Sequence, residues 1–479
     1  MRNARPRGWM LAAIALVSGC GVLEPRLPEA TPGTPAEWPV PPPTAAAASS
    51  TGMTATGDEP VAPPVAADIG WRDFFTDPKL EALIEQALAN NRDLRIALLN
   101  VERVRAQYRI QRADRVPGID ATGSMYRGRT EVGMTETFSA SIGVTQYELD
   151  LFGRVRNLSD AALQRYFAQE ETRRSAQLSL VAEVANAYLT LAADQELVRL
   201  ARATLETREQ AFSITQKRYE FGAVSGLDVS QSRTLVEGAR AELARFSGQV
   251  AQGGNALNLL VGAPIAPELL PAGFGDPVTG LAPRPAGLPS EVLVRRPDVL
   301  AAEHELRAAN ADIGAARAAF FPSITLTGSI GSASPELSDL FAGGTSVWSF
   351  VPQVRVPIFE GGRLRANLDA TRADRDIALA RYEQSIQQGF REVADALALT
   401  STLADQRVAL EALVDAARRG ETLTQARYAA GRDSYLLRLE SQRTLFVAEQ
   451  SLISTRLAEQ SNRVVLFKVL GGGWYEESR

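Results

Sequence analysis

The sequence predicts a mainly α-helical protein with a transmembrane β-barrel component, built on an internal two-fold repeat. The chain is written twice. Pro117, Ile119, Thr122, Gly123 and Ser124 recur 205 positions later as Pro322, Ile324, Thr327, Gly328 and Ser329. From Gly153, Arg154 and Arg156 (Gly362, Arg363, Arg365) the offset is 209, and it holds from Glu183-Val184-Ala185-Asn186-Ala187, matched by Glu392-Val393-Ala394-Asp395-Ala396, to Gln216, Arg218, Tyr219, Gly222, Ser225 and Leu227, matched by Gln425, Arg427, Tyr428, Gly431, Ser434 and Leu436. A period this long is no solenoid unit, so the halves are expected to be related by pseudo-symmetry in one assembled object. Of the 26 prolines, twelve precede residue 65, none lies in 118–263 and none follows 357, which leaves two long stretches free to be helical. Four further segments alternate with period two.

The first element is a targeting segment. Arg2, Arg5 and Arg7 form a basic n-region, Trp9 to Val17 an apolar h-region, and Val17-Ser18-Gly19 a small-residue site before Cys20. This is the shape of a secretory signal over 1–19, too short for a permanent span. Cys20 is the only cysteine of the 479 residues, which excludes an intramolecular disulfide and a structural cysteine zinc site. Its place resembles the lipobox of bacterial lipoproteins. That resemblance implies covalent diacylglycerol and an N-acyl lipid on Cys20, no other cofactor, and, with Gly21 following, sorting to the outer membrane. Residues 20–70, rich in Pro, Ala, Gly, Ser and Thr, read as a lipidated extended tether.

Trp71-Arg72-Asp73-Phe74-Phe75 then leads to Thr76-Asp77-Pro78, a capping residue before a proline at the first helical position. A net charge of −5 and a single histidine give no basic footprint for nucleic acid and little room for histidine chemistry. From Val155 to Tyr219 and from Leu364 to Tyr428 strong helix formers dominate, and each run extends roughly 95 Å at 1.5 Å per residue. Leu178, Val181, Ala185, Tyr188 and Ala192 form a heptad seam, and Leu180, Val184, Ala187 and Leu191 a second stripe beside it. Two stripes predict a helix packed on both sides, as in a ring of helices.

Both helices break at matching points, Arg218 to Asp228 and Arg427 to Leu436. Each break has a glycine placed for a C′ position and a serine placed to cap the next helix, so both read as helical hairpin tips. Turn chemistry explains glycine and serine, but not why Arg-Tyr precedes the glycine in both copies. The alternating segments are Ile119 to Tyr126, Phe138 to Thr145, Ser323 to Ile330 and Trp348 to Ile358. Each has about the 9–11 residues a tilted membrane strand needs. Alternation also serves half-buried soluble sheets. Four strands cannot close a barrel, so several chains must contribute; dimers would give eight strands and trimers twelve.

The run Leu293-Val294-Arg295-Arg296-Pro297-Asp298-Val299 with Ala301-Ala302-Glu303, followed by Ala309 to Phe321-Pro322-Ser323-Ile324-Thr325-Leu326-Thr327-Gly328, resembles the outer-membrane efflux proteins of the TolC and OprM group, in their lipoprotein (NodT-type) branch. Trp71 to Leu83 and both tips match as well. The resemblance implies a long α-helical coiled-coil barrel plus a 12-stranded β-barrel completed by a homotrimer, four strands per protomer. It divides the chain into a first repeat at 71–263 (strands near 117–128 and 137–150, helices near 154–220 and 228–261), a connector at 264–289, a second repeat at 290–470 (strands near 322–332 and 346–358, helices near 362–429 and 435–468) and a tail at 471–479.

The same resemblance implies a conduit, fed by a periplasmic adaptor (membrane fusion protein) and an inner-membrane pump of RND or ABC type. It places adaptor contacts at Gly222, Ala223, Val224, Ser225 and Leu227 and at Gly431, Arg432, Ser434 and Leu436. The periplasmic gate falls on Asp228, Tyr428, Leu437 and Glu440, with Asp228 and Tyr428 expected to bond each other. Asp433 and Leu437 depart from the family pattern, which has an arginine and an aspartate there, so apolar packing and different ion pairs are expected to hold the closed state. His304, between Glu303 and Glu305, reads as a satisfied surface or collar residue. No paired carboxylates or activated nucleophile suggest an enzyme. A lipid-tethered periplasmic coiled-coil scaffold would explain the helices and Cys20 but leaves the alternating segments without a role. The outer component of a type I protein secretion system shares the whole architecture.

Overall fold

The computed structural model describes residues 23–35, 38, 69–131, 133–274 and 290–472. The signal, Cys20, most of the tether, the connector beyond Phe274 and the tail beyond Gly472 lie outside them. Element order is α1 (Trp71–Phe74), α2 (Pro78–Asn90), α3 (Arg92–Ala113), β1 (Ile119–Thr130), β2 (Gly133–Leu149), α4 (Arg154–Glu220), α5 (Gly226–Val261), α6 (Pro297–Ala318), β3 (Ser323–Ser334), β4 (Ser346–Arg355), α7 (Arg363–Ala429) and α8 (Tyr435–Val469). Short 3-10 turns lie at Pro267–Leu269, Ser290–Arg295 and Leu337–Asp339. The described residues fall into two compact units, one drawn from the ranges 1–32, 99–171 and 300–385, the other from 33–98, 172–299 and 386–479.

The first unit holds the sheet, four antiparallel strands in the order β1-β2-β3-β4. Register explains how one face stays apolar. Ile119 pairs with Val144, Ala121 with Ile142 and Met125 with Phe138; Ile142 continues to Ile330, and Ile330 to Trp348. The other face pairs Thr122 with Ser141, Ser124 with Ser139 and Ser329 with Ser349, hydroxyl to hydroxyl at 3.0, 2.8 and 2.9 Å. Strict alternation past Val144 would turn Gln146 and Glu148 onto the apolar face. A bulge between Val144 and Tyr147, with Gln146 at φ 55°, absorbs one residue and puts Tyr147 opposite Leu326 and Leu149 opposite Ile324. The apolar face is thereby continued to the strand end.

Strand ends differ from the expected bounds for backbone reasons. β1 and β2 run on to a Thr130–Gly133 pair, because ladder hydrogen bonds continue through polar residues such as Arg127 and Glu136. β4 stops at Arg355 rather than 358, two residues before Pro357, which has no N–H to donate. Pro352 is kept in an outermost strand, where a missing donor is tolerated.

Residues 23–35 correct the tether reading. The Arg317 guanidinium donates to the Leu23 carbonyl at 3.0 Å, Asn310 Nδ2 to the Pro25 carbonyl at 2.7 Å and to Glu24 Oε1 at 3.0 Å, and the Thr31 amide to Glu383 Oε1 at 2.9 Å. A proline-rich segment builds neither helix nor ladder, but it leaves its carbonyls free, and α6 side chains use them.

The second unit has the main apolar core. Trp71, Phe75, Leu80, Leu83 and Ile84 are buried against Leu180, Val184, Leu191, Leu257 and Val261. Phe74 stacks on Phe467 of α8 at 3.8 Å. Fully burying side chains of this size stabilises by about 2–3 kcal/mol each, so α1 and α2 are pinned to helices remote in sequence. Asp77 caps α2 by accepting from the Lys79 amide at 2.9 Å, with Pro78 at the first helical position. Both α4 stripes are buried apart from the half-buried Ala187, as two-sided packing requires.

Candidate functional site at the helical hairpin tips

Both tips, in the second unit, are built by the same backbone device. Gly222 and Gly431 each adopt φ 70°, the left-handed region that ends a helix without a Cβ penalty. In the first tip the Gly222 amide donates to Tyr219 O at 2.9 Å and the Ala223 amide to Arg218 O at 2.8 Å; in the second, Gly431 donates to Tyr428 O at 3.0 Å and Arg432 to Arg427 O at 2.9 Å. Ser225 and Ser434 then cap α5 and α8, their hydroxyls accepting from the Asp228 and Leu437 amides.

Side chains finish the two tips differently. Asp228 closes a capping box, accepting from the Ser225 amide at 2.9 Å and hydroxyl at 2.8 Å. The second tip is stapled by an ion pair, Arg427 Nε to Asp433 Oδ2 at 2.7 Å and Nη2 to Oδ1 at 2.8 Å. Hydrogen bonding from Arg427, reinforced by its charge, holds the Asp433 carboxyl below the ordinary carboxylate range. Around these turns Phe221 (86% exposed), Leu227 and Leu436 face solvent with Gly222, Ala223, Gly431, Arg432 and Ser434, while Val224 is half-buried. The two turns thus carry exposed apolar side chains on a backbone closed by its own hydrogen bonds.

The expected gate residues are only partly brought together. Leu437 and Glu440, three apart on α8, share one exposed stripe, where Glu440 accepts from Arg443 at 2.8 Å. The expected Asp228–Tyr428 bond is not formed, because the Asp228 carboxylate is taken up by Ser225. The Tyr428 ring is instead approached by two guanidinium groups, Arg218 of α4 and Arg438 of α8, each at 5.4 Å, and by the buried Tyr435 ring at 5.4 Å. The doubled Arg-Tyr motif was the one trace of this cluster in the sequence. Arg218 of the first copy meets Tyr428 of the second, while Tyr219 lies against Gly226.

In the first unit, His304 Nδ1 is 2.8 Å from Gln164 Oε1 and its ring tilts against Phe167. Burial, then the nearby Arg307, keeps its pKa below the ordinary histidine value. Among the described residues no group of His, Cys, Asp and Glu could hold a metal ion, and no helix is long and apolar enough to cross a membrane.

The outer membrane efflux protein family matches the chain over residues 83–263 and 288–472. The toluene efflux pump outer membrane protein TtgC of Pseudomonas putida is 50% identical over 425 residues, covering 86% of this chain and 87% of its own length. Outer membrane protein OprJ of Pseudomonas aeruginosa is 48% identical over 418 residues, covering 85% and 87%. The open-state crystal structure of the MtrE outer membrane channel of Neisseria gonorrhoeae superposes with a TM-score of 0.81 at 38% identity, over 92% of this chain and all of that one. The four-stranded sheet, the paired long helices and these likenesses together establish that the chain belongs to the outer membrane efflux protein family, as an outer-membrane efflux channel protein and not an enzyme.

Proposed function

We propose that three copies of this chain close a twelve-stranded barrel and a twelve-helix tunnel, forming the outer conduit of an efflux assembly. A periplasmic adaptor and an inner-membrane pump of RND or ABC type pass substrate into it and supply the energy. One observation carries the reading. The sheet is open at β1 and β4, and one face exposes Ile119, Met125, Ile142, Ile330, Trp348, Phe350 and Val354. Unpaired strand edges are not tolerated in lipid, so other copies must satisfy them, leaving the hydroxyl-rich face to line water. Lipid on Cys20 adds an anchor of moderate strength to this embedded body.

The tips Gly222 to Leu227 and Gly431 to Leu436 dock the adaptor, and Leu437 with Glu440, flanked by Asp228 and Tyr428, lines the aperture that seals the resting tunnel. Native mass spectrometry of the detergent-solubilised protein should give three copies, each carrying the mass of the lipid, which Cys20→Ser removes. The same preparation should form a closed channel in planar bilayers that Leu437→Ser makes leaky. A single-chain species that needs no detergent would sink the reading.

A further inference from the structure

The last turns of α3, in the first unit, carry a stripe of arginines. From Arg103 to Arg115 the chain has five arginines and one acid, Asp114, in a protein whose net charge is −5. Arg105, Arg109 and Arg112 follow one another at spacings of four and three, so they share a face of the helix. All three are exposed, and none has a carboxylate partner among the described residues. Asp114 accepts from Gln111 at 2.8 Å, and Glu170 of α4 from the Tyr166 hydroxyl. The repeat shows what the matching face does in the other copy. At the 205 offset α3 maps onto α6 end to end, Arg92 on Pro297 and Ala113 on Ala318. Arg105 and Arg112 thereby correspond to Asn310 and Arg317, which donate to the Pro25 and Leu23 carbonyls, and Asn310 is left 2% exposed. Leu23 stands three residues after Cys20, no more than about 11 Å of extended chain away. One copy thus covers this face with the segment that follows Cys20, and the other presents arginines on it.

We propose that Arg105, Arg109 and Arg112 form a binding site for an anionic phospholipid of the periplasmic leaflet, standing in the first copy where the lipid-bearing segment stands in the second. The inference rests on the lipid-anchor reading above, because an acylated Cys20 sets the height of that face against the membrane. A phosphodiester offers acceptor oxygens that guanidinium groups grip bidentately. Its acyl chains have an apolar surface to follow. Past the last turn of α3 come Val116 and Ile119, 67% and 73% exposed, and Ile119 opens the apolar face of β1 opposite Val144. A shallow row of cations beside an apolar face matches a lipid headgroup, which is held by charge at the membrane surface and not by enclosure.

The test is native mass spectrometry of the full-length lipidated protein, stripped of exchangeable lipid in detergent and titrated with phosphatidylglycerol or phosphatidylcholine. The parent should prefer phosphatidylglycerol and hold it more weakly at high salt. Arg105→Gln, Arg109→Gln and Arg112→Gln should each weaken that binding about fivefold, and all three together on the order of 100-fold. The triple lysine variant, which keeps the charge, should lose far less. Water-soluble glycerol phosphate at the same concentration should leave the lipid in place; if it displaces the lipid, the stripe is a site for free phosphate and the proposal fails. It fails too if the triple glutamine variant binds phosphatidylglycerol like the parent, or if that variant falls apart into single chains, which would make the stripe a contact between copies. Covalent and exchangeable lipid separate by mass, so Cys20→Ser should still bind phosphatidylglycerol. A parent that carries no covalent lipid yet binds phosphatidylglycerol through the arginines removes the anchor reading and keeps the site.

Discussion

Arg296, from the Arg-Arg-Pro-Asp run, is 7% exposed and holds three elements with one guanidinium. It forks onto Asp298 in the first turn of α6 (Nε to Oδ1 3.0 Å, Nη2 to Oδ2 2.7 Å), reaches Glu392 of α7 at 2.7 Å, and donates to the Val469 carbonyl at the end of α8 at 2.9 Å. Burial opposes its charge, but the two carboxylates outweigh burial and raise its pKa. Gly389 of α7 makes the approach possible, since a Cβ there would sit 3.2 Å from Leu293 and 3.4 Å from the guanidinium. Arg296→Met removes every bond and strands two acids. Breaking a fully buried pair costs about 3–5 kcal/mol, and because Asp298 is 41% and Glu392 28% exposed, both partly rehydrate, leaving about 2–3 kcal/mol. Arg296→Lys keeps the charge and loses the fork, for about 1–2 kcal/mol. Denaturant midpoints of the detergent-solubilised protein measure both, and a cycle with Glu392→Gln isolates the pair. A lysine variant as stable as the parent, or a cycle coupling under about 0.5 kcal/mol, would refute the argument.

Two other perturbations act at the tips. Gly222→Ala and Gly431→Ala should each cost about 1–2 kcal/mol in local hydrogen-exchange protection; nothing lies within 4 Å of either added Cβ, so the cost is the left-handed backbone alone, and asparagine should cost less. Because Arg427 depresses the Asp433 carboxyl, the staple is fully present above the ordinary carboxylate range and is lost as pH falls through the lowered value. The protection factors of the second tip's amides, rates taken relative to unstructured chain at the same pH, should therefore be unchanged from pH 7 to the ordinary carboxylate value of about 4 and fall below it. Asp433→Asn should show low protection factors at every pH, and a loss of protection already above pH 5 in the parent would contradict the assignment.

What the sequence made legible was periodic or local. The α4 stripes, the glycine turns, the serine caps, Asp77 before Pro78 and the alternating strands all follow from rules acting within a few residues, and each is in the structure. What it hid depends on contacts between distant segments. The bulge at Gln146 shows only once Tyr147 and Leu149 find Leu326 and Ile324 on β3. Docking of Leu23 to Thr31 depends on acceptors and donors some 300 positions away, of which proline content gives no hint. Arg218 on Tyr428 joins one copy to the other, and a repeat-by-repeat comparison aligns each with its own counterpart instead.

That comparison still explains why the copies differ at their tips. A helix that starts at a tight turn needs its first amides satisfied and the incoming chain held. The first copy does both with Asp228 at the third helical position; the matching position in the second copy is Leu437, which can do neither. There Ser434 caps alone, at a long 3.4 Å, and the missing hold is restored from the other side of the turn by Asp433 on Arg427. Moving the acid four positions back leaves the hairpin closed while freeing the third helical position to be apolar and exposed beside Glu440. It also leaves Arg218, whose own turn has valine at the Asp433 position, without a carboxylate partner among the described residues. A single exchange of roles between an aspartate and an apolar residue thus accounts for both the leucine on the exposed stripe of α8 and the approach of Arg218, rather than of an acid-paired arginine, to Tyr428. Swapping them back, with Leu437→Asp and Asp433→Val in one chain, should rebuild a capping box at Ser434, keep the second tip's amides protected, and set Arg427 free; loss of protection in that double variant would show that the two closures are not interchangeable.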